Sequence, residues 1–448
     1  MANKGKKILY GSLILVAVIL IGAAVYLNSL LPIITGYAAK NLCSAVFVSG
    51  RNAEDVEKLD LNFSFIKFTK NKVDQADKSV TSRFLWGKSK AICREGFGAT
   101  LIRDVTEEEL EKVKFPDTDP GYLQDTIKWP LGDIIPDSAT GINKSKLAVI
   151  ADSIINHDAY NGHIFAFLVT HKGIPVAEAY KPGFSRKTKL LSWSMAKSFT
   201  NALVGILVKQ GKFELNGPLN FGMWENDARS TITLNNLLQM ESGLKWNEDY
   251  GNRSDVTVML HCEADMGRYA YEKPSEYPAG THWYYSSGTT NIVTDLIKEK
   301  FAVKDEYYAF PEKELFNRIG MPDAVFETDA SGNIVGSSYL YATARDFARF
   351  AVLLMNDGVF NDQRILPEGW VKYSTTEAPG SNGLYGAFFW LNKSKKIPTA
   401  PDDMFSCNGH NGQFIFMIPS KELAVVVLGY SPEGINLNRL LKDILATI

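Results

Sequence analysis

From Ile8 to Ala39 the chain carries no charged residue, and its most hydrophobic part, Ile8 to Leu27, matches the ~20 residues that a membrane-spanning helix needs. A secretory signal has a shorter apolar region of ~7–15 residues, and the only small-residue candidate for cleavage here is Gly36-Tyr37-Ala38-Ala39. Cys43 follows Lys40-Asn41-Leu42, which lacks the small residues expected before a lipidated cysteine. The reading is an uncleaved single-pass anchor in the cell membrane. Lys4, Lys6 and Lys7 hold the N-terminus in the cytoplasm and the rest of the chain lies outside, periplasmic or extracellular. The expected division is a cytoplasmic tail at 1–7, a transmembrane anchor at 8–30, a β-rich extension with linker at 31–149, and the main domain at 150–448.

The whole chain, 448 residues of which 45% are hydrophobic, can bury a large core, and its formal net charge of −2 gives no pull toward nucleic acid. The six histidines form no H-E-x-x-H and the four cysteines no C-x-x-C, so neither a metal nor any other cofactor is expected. Cys43, Cys93, Cys262 and Cys407 suit either pairing in an oxidising compartment or burial as small hydrophobes.

Trp193 to Gly211 concentrates the chemistry. Met195, Phe199, Leu203, Ile206 and Leu207 recur at three- and four-residue spacing, which predicts an amphipathic helix closed by Gly211. Ser194 at its start and Lys197 three residues on share one side of the first turn. A serine hydroxyl needs a neighbouring base, a desolvated lysine can serve, and helix N–H groups face any oxyanion that forms. The pattern S-x-x-K is short, however, and recurs at Ser64-Phe65-Ile66-Lys67. There Leu61, Phe63 and Phe65 alternate as in a strand, which would send Ser64 and Lys67 apart.

Along the rest of the chain, Leu61 to Phe68, Ser79 to Trp86 and Lys88 to Cys93 read as strands of the extension. Thr106 to Val113 reads as a short acidic helix, and Pro116, Pro120, Pro130 and Pro136 mark a linker. Ile164 to Thr170 and Ile174 to Tyr180 flank His171-Lys172-Gly173 as a hairpin. Helical patterns follow, including Thr233 to Gln239 and Thr343 to Met355, the latter with Thr343 and Asp346 as a capping pair. Tyr385 to Leu391, Gln413 to Ile418 and Leu423 to Gly429 read as strands, with a terminal helix from about Asn436. Two early strands, three late ones and helices between predict an α+β domain. It has an antiparallel five-stranded sheet flanked by helices, a helical region inserted in sequence, and the site where they join.

Two later stretches supply partners for Ser194. Pro278 to Gly288 is turn-rich, contains Tyr285 and leads into an apolar helix at Asn291 to Ile297; Asn408 to Gln413 places glycines immediately before a strand. Ser194-x-x-Lys197, Tyr285-Ser286-Ser287 and His410-Asn411-Gly412, in this order, resemble the serine β-lactamase and penicillin-binding-protein superfamily. The likeness is to its class C, esterase and 6-aminohexanoate-dimer hydrolase branch, and flanking phrases such as Leu237 to Leu244 and Arg345 to Phe350 look similar too. The resemblance covers about residues 150 to 448 and implies a β-lactamase/transpeptidase-like fold. It implies Ser194 as nucleophile, Lys197 as the lysine sharing its proton, and Tyr285 as the tyrosine base. It also implies His410-Asn411-Gly412 in place of K-T-G, with the N–H groups of Ser194 and Gln413 as oxyanion hole. Two departures stand out: Ser287 occupies the position of Asn in Y-x-N, and His410 replaces a permanent cation by a partly protonated one. Both weaken the case for recognising a β-lactam or peptide carboxylate.

The expectation is a membrane-anchored serine hydrolase that cleaves an ester or amide of a small molecule or peptide through an acyl-Ser194 intermediate. Alternatives are a D-Ala carboxypeptidase or β-lactamase acting on peptidoglycan-type substrates, and an acylated sensor or scaffold that turns over slowly.

Overall fold

The computed structural model describes residues 2–137, 141–219 and 221–448, with side chains from Tyr10 onward. Met1, the side chains of Lys4, Lys6 and Lys7 on which the inside orientation rests, and linker residues 138–140 lie outside these.

The helix does not stop at the expected end of the anchor at residue 30: α1 (Ala2–Phe47) runs on through Pro32 and Lys40. It is long and apolar enough to cross a membrane by length and composition. Every residue from Tyr10 to Tyr26 is exposed, whereas Leu31 and most of those after it are buried. The upper half of α1 is therefore a core helix. Ile34, Ala38, Leu42 and Ala45, at helical spacing, pack on a four-stranded antiparallel sheet, β1 (Lys70–Asp74), β2 (Ser79–Phe84), β3 (Gly87–Arg94) and β4 (Gly98–Leu101). A short α2 (Ala53–Leu59), capped by Asn52, links helix to sheet, and α3 (Glu107–Lys112) follows with Thr106 and Glu109 as a capping box.

The expected strand at Leu61 to Phe68 is instead a turn and one 3₁₀ turn at Ile66–Phe68. Ser64 adopts a left-handed φ of 46° there, and of Phe63, Phe65 and Ile66 only Ile66 is buried. The alternating apolar residues thus have no partner strand. Ser64 and Lys67 are both exposed.

The extension is fastened to the main domain through charge. Lys40 of α1 and Glu327 form a buried ion pair, and Glu327 also accepts from the Ser44 hydroxyl at 2.9 Å and the Ala99 N–H at 2.7 Å. Such a pair is poor evidence of net stability, but losing one partner strands a buried charge.

In the main domain α4 (Lys144–Asn156), capped by Asn143, begins before residue 150, so that boundary cuts a helix. The hairpin of β5 (His163–His171) and β6 (Ile174–Tyr180) turns at Lys172 and Gly173, both at positive φ. After β7 (Leu190–Leu191) a 3₁₀ turn at Trp193–Met195 runs into α5 (Ala196–Lys209). The inserted region holds α6 (Leu234–Leu238), α7 (Asp255–Cys262), α8 (Met266–Tyr271), α9 (Ser287–Lys298) and α10 (Lys304–Pro311). Strands β8 (Val325–Phe326) and β9 (Leu340–Ala342) join β7 in a small sheet, and α11 (Ala344–Met355) follows, capped by Thr343 and Asp346 as the sequence predicts. The chain ends through β10 (Val359–Phe360), β11 (Gln363–Arg364), α12 (Trp370–Ser374), β12 (Trp390–Leu391), β13 (Phe405–Gly409), β14 (Gln413–Ile418), β15 (Leu423–Tyr430) and α13 (Leu437–Leu445).

The main sheet is antiparallel with order β12-β13-β14-β15-β5-β6, so early and late strands meet as expected. It has six strands rather than five. The unexpected member is β13, left unassigned by the sequence pattern, which pairs with β14 from Phe405↔Met417 to Gly409↔Gln413. Val425 and Val427 face α4 and α13, while Ala424, Val426 and Leu428 face the core around α5 and α11. A strand covered on both faces reads as a continuous apolar run, as Leu423 to Leu428 does.

Candidate active site

Ser194 lies in the 3₁₀ turn that opens α5, where the first N–H groups have no intrahelical acceptor. Trp193, before it, holds a left-handed φ of 45°, an uncommon state for a non-glycine residue that surrounding contacts have to maintain. Those contacts are aromatic: its ring lies 5.5 Å from His410 edge-on, 6.5 Å from Tyr250 and 6.3 Å from Tyr37 of α1. Gly409 brings the β13–β14 turn against this bend, for a Cβ there would collide with the Ser192 carbonyl.

One helical turn on, Lys197 is 1% exposed. Its ammonium donates to the Ser194 hydroxyl at 3.0 Å, the Ser287 hydroxyl at 3.0 Å and the Ser337 carbonyl at 2.9 Å, which satisfies its three N–H groups. Burial lowers the Lys197 pKa to about 8, against an opposing pull from Glu248. Near neutrality a useful fraction of this amine is therefore free to accept a proton.

Tyr285 lies beside the pair, its ring centroid 4.8 Å from the Lys197 nitrogen, with Tyr385 perpendicular to it at 5.7 Å and Trp390 tilted against it at 5.3 Å. Burial raises its pKa well above that of a free phenol, Tyr385 and Glu248 add to the rise, and the Ser194 hydroxyl opposes it. The phenol thus keeps its proton where the lysine gives its up.

Ser287 is fully buried behind Lys197 rather than facing a cleft. Its hydroxyl accepts from Lys197 and donates to Glu248, which also accepts from the Ser287 N–H at 2.8 Å and the Trp246 indole at 2.6 Å. Glu248 completes a chain Ser194–Lys197–Ser287–Glu248 that the motifs alone do not disclose.

His410 stands exposed at the rim, its ring stacked on Tyr250 at 4.9 Å and 16°. Desolvation lowers its pKa from the ordinary imidazole value. Asn411, at φ 57°, and Gly412, at φ 92°, make the turn. The Gln413 side chain locks that turn by bonding the Gly429 carbonyl at 2.6 Å and the Gly429 N–H at 3.1 Å, so only its backbone remains for the site. Among the described residues no group of three or more His, Cys, Asp or Glu side chains is placed to hold a metal ion. The four cysteines are free thiols.

Sequence reasoning missed Glu248, Tyr250 and Ser337. The acidic and aromatic run Trp246-Asn247-Glu248-Asp249-Tyr250 was the available signal, but it carries no period and lies on a loop.

A sheet flanked by helices, with a serine at a helix start beside a buried lysine, defines a serine hydrolase of the β-lactamase-like fold. Residues 158–440, well over half of the chain, match the family described as Beta-lactamase, and the chain belongs to that family. It is 22% identical over 344 residues to 6-aminohexanoate-dimer hydrolase of Paenarthrobacter ureafaciens, covering 68% of this chain and 84% of that one. A hydrolase with promiscuous acyltransferase activity shares the fold with a TM-score of 0.56 at 13% identity, over 68% of this chain and 98% of that chain. A family VIII carboxylesterase does so with a TM-score of 0.53 at 15% identity, over 70% and 99%.

Proposed function

We propose that this protein is a membrane-anchored hydrolase that cleaves an ester or amide through an acyl-Ser194 intermediate, with the main domain outside the cytoplasm. The observation that carries the reading is the buried Lys197 amine, poised at a pKa of about 8 and 3.0 Å from the Ser194 hydroxyl.

In this reading neutral Lys197 takes the Ser194 proton as Oγ attacks the carbonyl carbon. The N–H groups of Ser194 and Gln413 hold the oxyanion. The still-protonated Tyr285 phenol donates to the departing alkoxide or amine and is reprotonated through Lys197. Water then attacks the acyl-serine by the reverse proton path. His410, whose pKa desolvation lowers further below the ordinary imidazole value, offers no permanent cation, which supports neutral esters or amides over carboxylate-bearing substrates of the β-lactam or D-Ala peptide kind. Anchoring is supported by the exposed apolar stretch from Tyr10 to Tyr26, and the orientation by the lysines that precede it.

The test is steady-state hydrolysis of a neutral ester panel with Ser194 followed by intact mass. Turnover with a transient acyl adduct is expected, and Ser194→Ala should abolish both this and fluorophosphonate labelling while Ser64→Ala leaves them intact. Labelling retained in Ser194→Ala sinks the assignment; a stable adduct without turnover means an acylated sensor.

A further inference from the structure

The small β1–β4 sheet leaves an apolar cluster uncovered at one end. Leu85 and Trp86 form the β2–β3 turn and are each 60% exposed, and Phe65 and Phe68, just before β1, are 51% and 57% exposed. The register Lys70↔Arg83 sets the start of β1 beside the end of β2, so all four residues project from the same end of the sheet. An exposed apolar cluster of this size on a small sheet marks an interaction site.

Behind this tip lies a row of like charge. Lys70 pairs with Arg83 and Arg83 with Lys88, which places three cations side by side across three strands on the face turned away from α1. Directly opposed like charges destabilise a sheet, and among the described residues none of the three has a carboxylate in ion-pair range. An anionic partner outside the chain would relieve that repulsion.

The position of the tip names the partner. The Trp86 indole donates to the Asn28 side chain of α1 at 2.9 Å, and Gly87 lies against Leu31. Asn28 and Leu31 sit where α1 changes from exposed all round to buried, at the upper edge of the proposed anchor. A tryptophan held beside the end of a spanning helix, flanked by phenylalanines and cations, has the composition of a membrane–water interface.

We propose that the tip formed by Phe65, Phe68, Leu85 and Trp86 sits in the headgroup region of the bilayer that α1 crosses, with Lys70, Arg83 and Lys88 on anionic lipid headgroups. This rests on the anchoring reading above. The sheet then acts as a second foot that keeps the main domain from swinging about α1. Tyr37, nine residues above Asn28, stacks on Trp193 next to the nucleophile, so Ser194 is held ~14 Å above the interface along the helix axis.

The test uses the full chain in lipid nanodiscs, with partly exposed Cys93 and Cys262 replaced by alanine. A nitrobenzoxadiazole probe is placed in turn at Leu85→Cys, Tyr26→Cys and Gln75→Cys, and each labelled chain is checked for fluorophosphonate reaction at Ser194. Gln75 is exposed in the β1–β2 turn at the far end of the sheet, ~15 Å from the tip. With doxyl-labelled lipids the probes at 85 and 26 should be quenched at least threefold more than the probe at 75. Quenching at 26 without quenching at 85 overturns the proposal and leaves the anchor standing; quenching at neither means α1 does not span. Equal quenching at 75 and 85 means that the sheet lies flat, which also overturns it. Trp86→Ser with Phe68→Ser should at least halve the signal at 85, and an unchanged signal counts against the aromatic contact. Discs with 30% phosphatidylglycerol should deepen quenching at 85 relative to phosphatidylcholine alone, and Arg83→Glu should remove the increment. Equal quenching in both lipids overturns the part assigned to the cations.

Discussion

Replacing Glu248 by Gln tests whether the hydrogen-bonded chain behind Ser194 sets the working pH. Glu248 reaches Lys197 through the Ser287 hydroxyl, so the charges lie no more than ~5.5 Å apart, the length of the two intervening hydrogen bonds. At that distance unit charges interact by ~3 kcal/mol for an effective dielectric of 20 and ~1.5 kcal/mol for 40. Since 1.36 kcal/mol is one pKa unit, removing the carboxylate charge should lower the Lys197 pKa by ~1–2 units. The sign is definite: burial brings Lys197 down to about 8, and the Glu248 carboxylate works against that fall. If neutral Lys197 is the base, kcat/KM of the natural chain rises with pH through about 8, and in Glu248→Gln this limb moves toward pH 6–7. The amide also turns an N–H₂ toward groups that donate to Glu248, the Ser287 hydroxyl and N–H and the Trp246 indole, and losing such a charge-assisted bond costs ~1.5–3 kcal/mol. The plateau rate should therefore fall while the limb shifts. The assay is kcat/KM for a neutral ester from pH 5.5 to 10. A lowered plateau with the limb unmoved would refute the coupling and leave Glu248 a structural acceptor only.

Other expectations follow from the same structure. His410→Lys restores a permanent cation beside Trp193 and Tyr250, so it should raise kcat/KM for a carboxylate-bearing ester at least severalfold relative to its neutral twin; an unchanged ratio removes His410 from substrate recognition. Lys40→Ala leaves Glu327 buried without its cation and should destabilise the protein by ~3–5 kcal/mol, read as a lower denaturation midpoint of the detergent-solubilised chain. Loss of Ser194 labelling should track that midpoint, because α1 and the main domain share this pair; labelling that survives α1 unfolding contradicts a joint unit. A reporter that fluoresces only in the cytoplasm should stay dark when fused after Ile448, and a bright fusion reverses the orientation.

What the sequence determined by itself is what short-range geometry controls. Ser194 and Lys197 share one face because three residues make about one helical turn, whatever surrounds them. The Thr343/Asp346 cap, the Lys172-Gly173 turn and the start of the terminal helix near Asn436 were equally legible, each depending on residues within four positions. The order of the three motifs indicated the fold through the family that it resembles, and the sheet topology brings their elements together. Tertiary structure decided the rest. Whether Ser287 faces a substrate or turns inward to bridge Lys197 and Glu248 depends on a loop whose position follows from packing and not from a period. Phe405 to Gly409 became a strand because β14 supplied the ladder that its polar residues do not advertise. The upper half of α1, apolar enough for lipid, was claimed by the protein core because β1–β4 and the buried Lys40–Glu327 pair lay within reach. Hydrophobicity states that a surface has to be covered, and only the folded chain decides by what.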